Sequence, residues 1–257
     1  MGLFGGAKTI VGLDIGSSSI KAVELRKAHG EIEVAHIGVE PLASDIVVDS
    51  MIVDSGSVSS AITKIFTENA IKPKAVATSV SGHSVIVKKI PLPTMDDSEL
   101  ANSIQTEAAQ HIPFDIADVS VGGNQYTDSL QKELDLSFED AENLKLGRKV
   151  GTVSEDAKMP ILQQVTEIIV LEIQKTFDFF RATAAGEHIE RIYMAGGSSK
   201  VPGLIEALRQ EFSLPVEILN PFQRIAPPAG GAAAELIEKN AGQLAVAVGL
   251  ALRSFEQ

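Results

Sequence analysis

Gly12-Leu13-Asp14-Ile15-Gly16-Ser17-Ser18-Ser19-Ile20-Lys21 is the stretch from which the rest of the chain is read. Ile10 to Ile15 and Ile20 to Leu25 carry the apolar, β-branched pattern of two strands, and Gly16-Ser17-Ser18-Ser19 joins them. Gly16 permits the positive φ that a tight connection can require. A concave row of turn amides and hydroxyls is a seat for phosphate. Asp14, just ahead of the turn, is placed to hold Mg²⁺ through water, because that ion gives up its hydration reluctantly. Lys21 follows as a charge partner for phosphate oxygens. The same residues also make an ordinary hairpin with a polar turn, and the motif alone leaves both readings open.

The 257 residues suffice for two modest domains or one large one, and a hydrophobic share of 44% can fill a core. A formal charge of −12 argues against nucleic acid, since no basic surface is available to neutralise phosphates. There are no cysteines, which excludes disulfides and thiolate metal sites and suits a cytoplasmic protein. Met1–Gly6 lacks the basic-then-apolar layout of a signal peptide, and no apolar run approaches a membrane span.

Outward from the hairpin, Glu31 to Val39 adds a third strand and completes an antiparallel meander. Asp45 to Gly56 reads as irregular, and Ser57 to Asn69 as a helix with Val58, Ile62, Ile65 and Phe66 on one face. Ala75–Val80 and Ser84–Ile90 read as strands, with His83 in the turn between them. A helix is expected from Asp96 to Gln110, its acidic first turn suiting the helix dipole, closed by Pro113. Lys88-Lys89 reads either as a solvated strand end or as the rim of a peptide groove. Beyond Gly122-Gly123-Asn124 the pattern is mainly helical: Thr127–Leu134, a helix capped by Ser137 with Asp140 reaching back, and Met159–Ala185 after a linker at Lys149–Ala157. Glu142 and Lys145 share a face, for which a surface ion pair is the simple reading.

Arg191–Met194, a short strand of buried type, runs into Gly196-Gly197-Ser198-Ser199 and a helix from Lys200 to Phe212 with Pro202 in its first turn. A strand, paired glycines and a helix start suit a phosphate or nucleotide; a tight structural turn is the alternative. Leu214–Leu219 is a further strand and Pro227–Gly231 a loop. Gly242–Phe255 reads as a helix whose alanines and Gly249 allow close packing on a sheet.

An Asp-x-Gly hairpin near the start and a Gly-Gly-Ser-Ser turn near the end occur together in the actin-like ATPase superfamily. Within it the chain resembles the PilM family of type IV pilus assembly. The matching words, in the family's order, are Gly12–Lys21, Glu107 with Ile112-Pro113-Phe114-Asp115, Gly122–Thr127, Ala141-Glu142 with Lys145, Gly196–Ser199 with Pro202-Gly203-Leu204, and Val248–Arg253. The resemblance implies an α/β fold of actin-like, ribonuclease H-like units. Domain I would take residues 1–78, a small inserted subdomain 79–120 and domain II 121–225, with 226–257 returning to domain I. It implies ATP and Mg²⁺ as cofactors. Asp14, Gly16, Ser17, Ser18, Ser19 and Lys21 would form the first phosphate loop, with Mg²⁺ at Asp14. Glu142 and Lys145 would meet ribose and adenine, and Gly196, Gly197, Ser198 and Ser199 would form the adenosine loop. The implied partner is the cytoplasmic N-terminal peptide of a PilN-like inner-membrane protein, received by Ser79–Val119, with other pilus motor components as further candidates. The implied location is cytoplasmic, at the inner membrane through partners.

The chain departs from the family pattern in one respect. The superfamily duplicates its unit, yet the second Asp-x-Gly hairpin and its phosphate loop do not occur in this sequence. Asp118-Val119-Ser120-Val121 leads directly into Gly122-Gly123-Asn124, as though a block near Val119–Gly122 were removed. An incomplete second half is therefore expected, with a thin sheet of exposed edges. ATP binding is expected ahead of ATP hydrolysis. The alternatives are a nucleotide-free interaction remnant of the same fold, an FtsA-like cell-division protein, and a sugar kinase.

Overall fold

The computed structural model describes residues 9–48, 51–72, 75–79, 92–96, 99–100, 103, 122–183, 188–228 and 230–255. The chain divides into two compact units, Met1–Ser79 with Val121–Gln257, and Val80–Ser120. In the smaller unit the described residues include a reciprocal helix cap. The Glu99 amide donates to Asp96 Oδ1 at 2.8 Å, and the Asp96 amide donates to Glu99 Oε2 at 3.2 Å. The expected strand Ser84–Ile90, His83, Lys88-Lys89, Pro113 and the junction near Val119 all lie outside the described residues.

The larger unit opens with the expected meander: β1 (Ile10–Ile15), β2 (Ser19–Ala28) and β3 (Glu31–Pro41). Residues 45–56, expected to be irregular, contain a short hairpin of β4 (Val47–Val48) and β5 (Met51–Ile52). α1 (Ser55–Glu68) starts two residues earlier than the periodicity suggests, because Asp54 caps the amides of Gly56 and Ser57. α1 crosses over to β6 (Ala75–Thr78), which lies parallel to β1 and completes a sheet in the order β3-β2-β1-β6.

Alternation divides this sheet's side chains between two faces. Val11, Leu13, Ile20 and Ala22 pack on Val58, Ala61 and Ile65 of α1. Val23, Leu25, Val34 and Ile37 pack on C-terminal helices. Those helices differ from the single one expected. α6 (Ala232–Asn240), not foreseen, leads through a 3-10 turn (Ala241–Leu244) into α7 (Ala245–Leu252). α7 does lie close on the sheet, but Gly249 is not the cause: a Cβ there would meet no atom within 4 Å. The close approach belongs to Gly12 of β1, where a Cβ would stand 1.9 Å from Ala247 O and 2.6 Å from Ala251 N.

Residues 122–219 form a second region. α2 begins at Gly123, four residues before the expected start, and runs to Leu134. α3 (Phe138–Lys145) is capped by the Ser137 hydroxyl, which accepts from the Asp140 amide at 3.1 Å. The Asp140 carboxylate accepts that hydroxyl's proton at 2.8 Å, rather than reaching back to a backbone amide. α4 (Glu155–Thr183) takes in the last residues of the expected linker. β7 (Ile192–Met194) and β8 (Val216–Ile218) pair in parallel as a two-stranded sheet. β7 is not of buried type, since Tyr193 is 56% exposed. The helix expected from Lys200 is a 3-10 turn, Gly197–Lys200, followed by α5 (Leu204–Phe212), so Pro202 precedes the helix. Tyr126, Leu130, Ala141, Leu144, Leu162, Val165, Leu204, Leu208 and Phe212 supply the core, with Val216 from the sheet.

Candidate functional site

The β1–β2 register sets Asp14 opposite Lys21, and alternation puts both on the α7 face with Gly12 and Val23. Lys21 Nζ donates to Asp14 Oδ2 at 3.0 Å, with side chains 11% and 17% exposed. Gly16 is half-buried and does not adopt a positive φ; its amide donates to Ser19 O at 3.1 Å, while Ser18 O accepts from the Leu42 amide at 2.9 Å. A Cβ at Gly16 would lie 3.4 Å from Lys21 Nζ, so the glycine keeps the space beside the ammonium clear. Among the described residues no three His, Asp or Glu side chains gather as a metal cage. Asp14 could therefore hold Mg²⁺ only together with water and a ligand's own oxygens.

The Glu142–Lys145 pair is not the surface ion pair of the simple reading. The Lys145 side chain is 7% exposed, and its ammonium donates to Glu142 Oε1, to Thr127 Oγ1 at 2.9 Å and to Gly123 O at 3.3 Å. An ammonium has three protons, and all three have acceptors. Lys145 thus ties the start of α2 to the end of α3. Ser198 comes to the same knot: a Cβ at Gly123 would stand 2.7 Å from Ser198 Oγ and 3.8 Å from Lys145 Nζ.

Gly196 has φ +89°, which glycine adopts without strain, and a Cβ there would meet no atom within 4 Å. Its amide donates to Gly242 O at 2.8 Å. A Cβ at Gly197 would lie 3.6 Å from Gln243 Nε2, and one at Gly242 would lie 3.5 Å from Ser199 Oγ. The glycine turn therefore sits on the 3-10 turn that precedes α7.

The hairpin lies along the same helical segment. The Ile10 amide donates to Ser254 Oγ at 2.9 Å, and Gly12 lies against Ala247 and Ala251, so β1 and α7 run in opposite directions. A strand advances about 3.3 Å per residue and a helix about 1.5 Å, so each strand residue spans roughly two helix residues. Asp14, two residues beyond Gly12, falls near the level of Ala245, about one helical turn from Gly242–Gln243. The two bends thus approach the same end of one helix. The hairpin and the Glu142–Lys145 pair share no hydrogen bond or ion pair among the described residues.

Three further side chains stand at this place without having been singled out by motif. Lys200 Nζ donates to Asn240 Oδ1 at 2.9 Å, and its pKa is lowered by burial first and by the Arg148 charge second. Arg148 donates to Asn143 Oδ1 at 2.8 Å. Two cations are thus held near one another by neutral acceptors, in an acidic chain. Gln243 is the third. The available signals were slight: Lys200 directly follows Gly-Gly-Ser-Ser, and Arg148 lies three residues after Lys145.

The sequence profile of the type IV pilus assembly protein PilM family matches residues 12–121 and 118–255. The chain belongs to that family. The two matched segments meet at 118–121, where Asp118-Val119-Ser120-Val121 leads directly into Gly122-Gly123 in the sequence. A solved structure described as a PilM–PilN type IV pilus biogenesis complex contains a chain that superposes with TM-score 0.83 at 18% identity, over 97% of this chain and 99% of that one. The ethanolamine utilization protein EutJ from Carboxydothermus hydrogenoformans superposes with TM-score 0.51 at 15% identity, over 95% and 89%. This PilM-family chain has the actin-like ATPase fold. Among its described residues no helix is long and apolar enough to cross a membrane.

Proposed function

We propose that this PilM-family protein is an ATP-binding scaffold of type IV pilus assembly that docks the cytoplasmic N-terminal peptide of a PilN-like inner-membrane protein. The observation that carries the nucleotide half is the convergence of two glycine bends on the N-terminal end of α7. The donor set fits Mg²⁺–ATP: a carboxylate and an ammonium side by side at the hairpin, and open backbone at Gly196. Asp14 would hold Mg²⁺ through water, and Lys21 would turn from Asp14 to phosphate oxygens. Gly196–Ser199 would receive adenosine, with Lys200 and Arg148 close enough to favour a π-face or an anion. When bound, the nucleotide would supply negative charge for the Lys21 and Lys200 ammonium groups to meet. Binding rather than hydrolysis is proposed, because a second phosphate loop is absent from the sequence.

Calorimetry with ATP and Mg²⁺ tests this. A Kd in the micromolar range or better, lost in Asp14→Ala, is expected. No heat from the wild type would favour a nucleotide-free interaction module, a reading with its own support: the Gly16 amide and all three Lys145 protons already have partners.

The partner half rests on the family and on fold likeness to a chain described as part of a PilM–PilN complex. Residues 79–120 are the proposed receiving segment. Deleting Ser84–Phe114 is expected to abolish capture by an immobilised PilN-like N-terminal peptide, and retained capture would remove the segment from the interface.

A further inference from the structure

We infer that Gln243 is a nucleotide-contacting residue, its carboxamide meeting the phosphate end of the ligand between the two bends; the inference rests on the ATP reading above. Gln243 lies in the 3-10 turn Ala241–Leu244, at the point where the supporting segment passes from one bend to the other. On one side, its Nε2 is the nearest atom to the empty Cβ position of Gly197, at 3.6 Å. On the other, Asp14 stands about one helical turn further along the same segment, on the same side of the sheet. Gly242, its neighbour, is pinned between Ser199 and Ile218, with Cβ distances of 3.5 and 3.0 Å, and accepts the Gly196 amide. The backbone that carries Gln243 is therefore fixed by the glycine turn itself. Its half-buried side chain makes no hydrogen bond to a described residue. A carboxamide donor held between an adenosine seat and a phosphate seat is suited to the phosphate oxygens nearest the adenosine.

A charge series at this position tests the inference by calorimetry with ATP and Mg²⁺. A contact to phosphate predicts the order Gln243→Lys at least as tight as wild type, Gln243→Ala about tenfold weaker, and Gln243→Glu weaker still. Ligand-free melting temperatures should stay together, because the side chain supports no packing in the core. A packing role would weaken all three variants alike and lower their melting temperatures, and that result overturns the inference. Affinity unchanged across the series, with Asp14→Ala still abolishing binding, overturns it while leaving the ATP site intact. Absence of ATP binding in the wild type removes both.

Discussion

The larger unit joins two regions built on opposite economies of sheet and helix. In the first, four strands are covered on both faces, by α1 on one side and by α6–α7 on the other. Its outer strand is further shielded where the Ala226 amide donates to Ile32 O at 2.8 Å and Ala226 O accepts from Val34. In the second, two strands carry Tyr193 and Ile218 at 56% and 49% exposure, and the core is made by α2–α5. The thin sheet does not leave that region without a core, because packed helices replace strands as the source of buried surface. The buried Tyr126 hydroxyl, 2.8 Å from Thr166 Oγ1, and the Lys145 knot add directional ties that the first region, with its continuous ladders, does not need.

The contrast can be broken most forcibly at Gly12. Gly12→Val would drive a side chain into the backbone of α7 and separate the helix from the sheet, with an expected loss of about 3 kcal/mol or more. Urea unfolding measures it, and a wild-type midpoint would mean that α7 is not clamped on β1. Next comes a matched pair, Leu25→Ala in the first region and Leu162→Ala in the second, both fully buried. Each is expected to cost about 2–5 kcal/mol. A much smaller loss for Leu162→Ala would show that the helical core collapses around the void and is the looser of the two. Lys145→Met should cost about 2 kcal/mol, less than a fully buried pair, because Glu142 keeps partial access to water. If Lys145 served a ligand rather than the join between α2 and α3, ligand-free stability would stay at the wild-type value and only ATP affinity would fall.

Local rules were legible where they depend on neighbours in sequence. The meander, β7 and β8, the Ser137 cap and the glycine bends followed from alternation, turn residues and capping chemistry. What escaped depended on distant partners. Small residues at 242–255 suggested close packing, but only the fold reveals that the glycine making room is Gly12, more than two hundred residues away. Burial of Lys145 was equally hidden, since Thr127 and Gly123 O come to it from another helix. Gln243 and Lys200 carry no motif of their own and gain meaning only when the Gly196–Ser199 turn is seen to rest on the segment before α7. α6 was missed because Ala232–Asn240 is short and follows Gly230-Gly231, which read as loop.

The smallest expected effect concerns the start of α1, and it separates the two regions by pH. Asp54 accepts from the amides of Gly56 and Ser57 at 2.9 and 3.1 Å and from the Ser57 hydroxyl at 2.6 Å. The Ser57 hydrogen bonds hold its pKa below 3.8. A carboxyl group whose folded pKa is depressed stabilises the fold above its unfolded pKa, and that contribution fades as pH falls through the folded value. The melting-temperature difference between wild type and Asp54→Ala should therefore be constant near neutrality and shrink only below about pH 3.8. Ser137→Ala, the matching change in the second region, removes a hydroxyl cap rather than a carboxylate one. Its own amide bond does not titrate, so its difference should persist further into acid than that of Asp54→Ala. Parallel pH profiles for the two variants would mean that the caps report global unfolding alone, and that the first region's helix is not set by its acidic cap.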